Sequence, residues 1–135
     1  MAATVQSPPA RPRRRGKPLL ILLLFLLVVI GGFALYVWSA LHLSYSSGER
    51  AGYVQKFSHK GWVCKTWEGE LAMVNLPGTL PEIFRFSVRD GGVAARINQS
   101  LGQRVRLHYE QHKGVPGECF GETEYFVTQV EPVAP

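Results

Sequence analysis

The sequence predicts an N-terminal transmembrane α-helix followed by one small, mainly-β domain. The predicted order is β-β-β-α-β-β, that of an OB-like barrel, with an SH3-like barrel as the alternative. Three observations carry the prediction. Residues 19–40, LLILLLFLLVVIGGFALYVWSA, contain no charged side chain, and about 20 residues at a 1.5 Å rise cover the roughly 30 Å hydrocarbon core of a bilayer. Downstream, short stretches of alternating apolar and polar residues recur between turn-forming clusters, which is how half-buried strands read. One stretch with a four-residue apolar spacing falls between the third and fourth of five such strands, the element order of an OB-type barrel.

The N-terminal flank, residues 1–18 (MAATVQSPPARPRRRGKP), is rich in Pro, Ala, Ser and Arg and has no apolar period. It reads as a disordered tail. The formal net charge of +5 resides there: Arg11, Arg13, Arg14, Arg15 and Lys17 have no acidic counterpart before Ser44, and acidic and basic residues balance after it. Positive charge beside a span is retained on the cytoplasmic side, so the expected topology is N-terminus in and C-terminal domain out. The charge is an anchoring signal rather than a nucleic-acid surface. A cleaved signal peptide has a shorter apolar core ending at a small-x-small site. Here the run ends in Tyr36-Val37-Trp38, aromatics suited to the membrane–water interface, which favours an uncleaved signal anchor. The organisation expected is a tail over 1–18, a transmembrane helix over 19–41, a polar linker over 42–52, the exported domain over 53–130 and a frayed tail over 131–135.

Within the domain, residues 53–58 (YVQKFS) alternate as a strand, and Lys60-Gly61 marks a turn. Residues 62–74 (WVCKTWEGELAMV) are β-rich, with Val63, Lys65, Trp67, Gly69, Leu71 and Met73 on one face and Trp62, Cys64, Thr66, Glu68 and Glu70 on the other. Neither face is cleanly apolar, and a bulge near Gly69 would switch the inward face. The loop 75–81 (NLPGTLP) leads to the clearest strand, 82–89, where Phe84, Phe86 and Val88 oppose Arg85, Ser87 and Arg89. Asp90 is a helix cap for 93–101, whose Val93, Ile97 and Leu101 share a face before the Gly102 stop. Strands over 104–111 and 125–130 flank the loop 113–118.

The chemistry-bearing residues are few. Cys64 and Cys119 are the only cysteines; in an oxidising compartment they form either a disulfide or two separate thiols. His42, His59, His108 and His112 lack the surrounding Cys or acidic residues of a metal site and read as surface histidines. Ser58-His59, Ser87 and Glu68 supply the residue types of a nucleophile–base set, as any domain of this size does. Glu68 and Glu70 straddle Gly69 as paired carboxylates, with Lys65 and Arg85 near enough in sequence pattern to form ion pairs. No phosphate-cradling glycine motif occurs, and roughly 90 residues leave little room for a cofactor domain. No catalytic residue, cofactor or metal is therefore assigned. Asn98-Gln99-Ser100 is a glycosylation sequon inside the expected helix.

Residues 45–73, FRFSVRD at 84–90 and CFGETEYFV at 119–127 resemble an uncharacterised family of short bacterial single-span membrane proteins with a small exported domain; KGWVCKTWEGEL is the most specific part. Some members carry the label 6-phosphogluconate dehydrogenase, but the chain has no dinucleotide fingerprint and no room for a Rossmann domain. The resemblance implies a bacterial inner-membrane setting with a periplasmic domain. The resulting expectation is a membrane-anchored, non-enzymatic binding or scaffold module of the cell envelope. Its expected partners are the lipid bilayer and an envelope or membrane protein, with no nucleic acid. Trp62, Lys65, Trp67, Glu68 and Glu70 form the candidate interaction surface. The alternatives are an envelope enzyme using Glu68 or Glu70 and a structural subunit of a membrane complex.

Overall fold

The computed structural model describes residues 2–10 and 16–134. Of the basic residues that form the topology signal, Arg11, Arg13, Arg14 and Arg15 lie outside the described residues, and Lys17 stands in the first helical turn. The chain divides into two compact units, Met1–Leu35 and Tyr36–Pro135.

The first unit contains residues 2–10, exposed and without regular structure, and most of helix α1 (Gly16–His42). Proline in the first turn, Pro18, removes an N–H that has no intrahelical acceptor in any case. The apolar side chains from Leu19 to Leu35 are exposed on every side of the helix, and α1 is long and apolar enough to cross a membrane. At its C-terminus the His42 Nδ1 lies 2.8 Å from the Trp38 carbonyl and its ring stacks on Trp38 at 4.5 Å. This places a basic side chain on a carbonyl of the last turn, where the helix dipole favours it.

The second unit holds the last turns of α1 and a closed five-stranded sheet: β1 (Ser46–Lys60), β2 (Thr66–Met73), β3 (Ile83–Val88), β4 (Arg104–Gln111) and β5 (Tyr125–Pro132), with α2 (Gly91–Gln99) between β3 and β4. The spatial order is β1-β2-β3-β5-β4, closed by β4 onto β1. Closure depends on the length of β1. Its first half, Ser46 to Tyr53, pairs with β4, and its second half, Gly52 to Lys60, pairs with β2, both antiparallel. The remaining seam is parallel, β3 to β5, through Ser87 opposite Phe126. The core is built from one residue in two along the strands, including Val54, Leu71, Phe84, Phe86, Val105 and Leu107, and is capped by Val93, Ala94 and Ile97 of α2. Asp90 starts α2 as expected, its side chain accepting from the Val93 N–H at 3.0 Å.

Three expectations need correction. The stretch 42–52 is not a linker. α1 runs to His42 and β1 begins at Ser46, which leaves 43–45 as the connection, and the domain extends from Ser46 to Pro132 rather than over 53–130. The glycines that make this stretch look like linker are there for close packing. A Cβ on Gly48 would lie 2.8 Å from the Tyr109 hydroxyl, and one on Gly52 would collide with the Ala72 carbonyl. Second, residues 62–65 precede β2 as a loop, entered through Gly61 at φ +139°. Third, the register shift lies in β1 between Val54 and Lys56, not at Gly69. Gly69 keeps its place opposite Phe57 and Phe86 because the Phe86 ring occupies the space a side chain would need.

Candidate functional site

Two loops stand at one end of the sheet: the β1–β2 loop, L12 (residues 61–65), and the β4–β5 loop, L45 (residues 112–124). The disulfide between Cys64 and Cys119 joins them, with Cα atoms 4.9 Å apart. Of the two alternatives left open by the sequence, the structure contains the bonded pair.

Next to this cross-link L45 lies over the outer face of β2 and β3, and Glu68 is the residue that holds it there. Glu68 is only 7 % exposed. Its Oε1 accepts from the Thr66 hydroxyl at 2.8 Å and the Glu122 N–H at 3.0 Å, and its Oε2 accepts from the Ser87 hydroxyl at 2.7 Å. Ser87 in turn accepts from the Thr123 N–H at 3.1 Å and lies 2.8 Å from the Thr123 hydroxyl. A buried carboxylate requires such partners, since burying it without them costs several kcal/mol. Alternation along β2 puts Thr66, Glu68 and Glu70 on the outer face, and L45 buries the first two of them.

Beyond Glu68 the outer face opens into a polar cleft of about 180 Å³, lined by Lys56, Ser58, Lys60, Glu70, Arg85 and Glu122 among others. Lys60 donates to Glu122 at 2.9 Å, and this hydrogen bond holds its ammonium above the ordinary lysine value of 10.5. Arg85 lies 3.7 Å from Glu70 across the β2–β3 pair. Lys56 and Ser58 complete the wall from β1.

The five residues expected to form one interaction surface separate into three places. Glu68 and Glu70 both line the cleft, Glu68 where L45 covers it. Trp67 turns inward to pack on the core, stacked on Phe57 at 5.2 Å and His59 at 4.3 Å. Trp62 and Lys65 are exposed on L12, where Trp62 and Val63 are 102 % and 96 % exposed. The nucleophile–base set is likewise divided. Ser87 meets Glu68 but is fully buried, and His59 is on Trp67.

Sequence reasoning missed the join between L45 and the helix end. His112 is not a surface residue but is 4 % exposed. Its Nδ1 lies 3.1 Å from the Ala40 carbonyl and 3.2 Å from the Leu43 carbonyl, and its Nε2 lies 3.2 Å from the Glu110 carboxylate. The Tyr36 hydroxyl donates to the Gly114 carbonyl at 2.5 Å. The final turns of α1 therefore share hydrogen bonds with L45, and L45 shares a covalent bond with L12. Among the described residues, no group of three or more His, Cys, Asp or Glu is placed to hold a metal ion.

The architecture is that of a small closed-sheet domain carried directly on the end of one apolar helix. Residues 44–135 match the family model described as a domain of unknown function, DUF8785, and the chain belongs to that family. The match covers the stretches that carry the resemblance read from the sequence. No curated protein and no solved structure matches the chain.

Proposed function

We propose that the protein is a membrane-anchored, non-enzymatic binding module of the bacterial cell envelope. In this reading α1 spans the inner membrane with its N-terminus in the cytoplasm, and the domain is periplasmic. The sheet is an OB-type barrel, a reading supported by the closed order β1-β2-β3-β5-β4 and by a helix between β3 and β4. In that fold class, ligands bind on the outer face around strands 2 and 3, between L12 and L45. The polar cleft lies on that face, and its partner is a protein of the envelope or membrane. The bonded cysteines accord with an oxidising compartment.

The observation that carries the reading is the state of Glu68. It is the buried acid of the face, and both its oxygens are engaged in holding L45, while Glu70 beside it faces Arg85. A general acid or base must instead reach a substrate proton within about 3 Å. The groups that remain on the cleft wall, exposed Lys56 and Arg85 with half-buried Ser58 and Glu70, suit recognition of a polar surface. Photo-crosslinking in living cells tests this, with the reactive group at position 56 or 85 and at Gln129, an exposed residue of β5, as control. A discrete adduct from 56 and 85 but not from 129 is expected. Equal labelling from all three positions would remove the cleft as a binding face.

A further inference from the structure

The remaining feature without a role is the tip of L12. Trp62 and Val63 are the most exposed large apolar residues of the second unit, 102 % and 96 %, and they touch no part of the core. Phe84, Phe86 and Phe126 are buried, and the other exposed apolar side chains of this unit, among them Tyr45, Leu76 and Leu80, are not on a loop held by a disulfide. An exposed apolar tip on a loop fixed by a covalent bond marks a contact with something outside the domain.

We propose that the L12 tip dips into the interfacial zone of the same bilayer that α1 crosses, so that Trp62 and Val63 form a second membrane contact. The proposal rests on the reading of α1 as a span. Its support is the continuity of L45. Gly114 bonds to Tyr36, six residues before the end of α1, at the height where an apolar run beginning at Leu19 meets the interface. Val37, Ala40 and Leu41 on the same turns are half-buried by the domain. From Gly114 the chain needs five residues, no more than about 17 Å, to reach Cys119, which is bonded to Cys64 beside the tip. The loop carrying Trp62 is thus tied by covalent and hydrogen bonds to the interfacial turns of the helix.

The chemistry of the tip fits lipid better than a charged partner. Trp sits well at the headgroup level because its ring is apolar and its N–H polar. Near the tip Lys60 is paired with Glu122, and Arg89 lies over the Phe120 ring beside Cys119. The tip itself, Trp62 and Val63, carries no charge, so neutral lipid is the direct probe of its insertion.

The test uses the full chain in nanodiscs of neutral phosphatidylcholine, with 5-fluorotryptophan in place of its three tryptophans. Trp62→Ser assigns the Trp62 line, and Trp38 in α1 is the internal reference. A nitroxide carried on the lipid is expected to broaden the Trp38 and Trp62 lines several-fold more than the Trp67 line. A water-soluble gadolinium chelate should leave the Trp62 line about as sharp as the Trp38 line. If the lipid nitroxide broadens Trp38 while the chelate alone broadens Trp62, the tip lies in water and the proposal fails with the span intact. If neither Trp38 nor Trp62 responds to the lipid nitroxide, the span reading fails and this inference with it. A photo-crosslinker at position 62 in cells that yields a discrete protein adduct rather than lipid adducts would also overturn it, in favour of a protein occupant.

Discussion

Replacing Glu68 separates its structural role from a chemical one. Glu68→Ala strands three donors at once, the Thr66 and Ser87 hydroxyls and the Glu122 N–H. Each unsatisfied buried group costs about 1–3 kcal/mol. The hydroxyls can turn toward other acceptors, but the amide cannot, so a total loss of about 3–5 kcal/mol is expected. Glu68→Gln keeps the shape. Its amide oxygen at the Oε1 position accepts from both Thr66 and Glu122, and its NH2 donates to Ser87, whose hydroxyl can then donate to Thr123. That variant loses the charge assistance but strands no donor, a cost of about 1 kcal/mol. The assay is urea unfolding of the full chain in detergent, followed by near-ultraviolet circular dichroism of the packed aromatics. Alanine within about 0.5 kcal/mol of the native protein, which is the scatter of an ordinary surface substitution, would refute the reasoning. Glutamine as damaging as alanine would show that the charge, rather than the hydrogen-bond geometry, holds L45.

Four further outcomes are expected. Cys64→Ser, or reduction of the native protein, frees a loop with a sequence separation of 55 and lowers stability by about 4 kcal/mol on the chain-entropy estimate; unfolding with and without reductant measures it. Gly69→Ala drives a methyl into the Phe86 ring and against Phe57, an overpacking expected to cost about 1–3 kcal/mol and visible as a lower urea midpoint with an unchanged slope. His112→Ala releases the Ala40 and Leu43 carbonyls and removes one edge-on ring contact, to Phe126 at the start of β5. Amide exchange should therefore quicken at residues 43–45 and in L45 while the β2 and β3 amides stay protected. The proposed topology, with the basic tail keeping the N-terminus cytoplasmic, predicts that an alkaline phosphatase fused after Pro135 is active; a stable but inactive fusion would reverse the topology.

The fold was most legible where one physical requirement governs each residue. The run from Leu19 has to be apolar on every side, and it reads as a helix long enough to span. Phe84, Phe86 and Val88 have to face a core every second residue, and Asp90 has to cap a helix whose Val93 and Ile97 face that core; both elements appear where the pattern puts them. Legibility failed where a residue answers to contacts distant in sequence. Gly48 and Gly52 look like linker because the reasons for them, Tyr109 and the Ala72 carbonyl, lie in β4 and β2. Glu68 looks solvated because strand alternation places it outward, and only L45, which has no period of its own, covers it. The same applies to His112, whose acceptors lie 69 and 72 positions earlier in the chain.

The misreadings of Glu68 and His112 converge on L45. The loop begins at the helix end through His112 and Gly114, crosses to L12 through Cys119, and returns over Glu68 through Glu122 and Thr123 before entering β5. Loops lacking secondary structure at this length are uncommon in compact domains and tend to be functional. This one makes a covalent bond, a buried-carboxylate contact and a helix contact within 13 residues, 112–124. A flexible tether would need none of them. Fixing L45 at three points instead holds the cleft and the Trp62 tip in a set geometry relative to the last turns of α1, all within the second unit. A binding face presented in one orientation loses less conformational freedom when its partner arrives. In the proposed function, the chemistry-bearing residues of this domain orient a surface rather than react at one. The His112→Ala variant examines that distinction directly: it should weaken crosslinking from positions 56 and 85 while leaving the sheet folded.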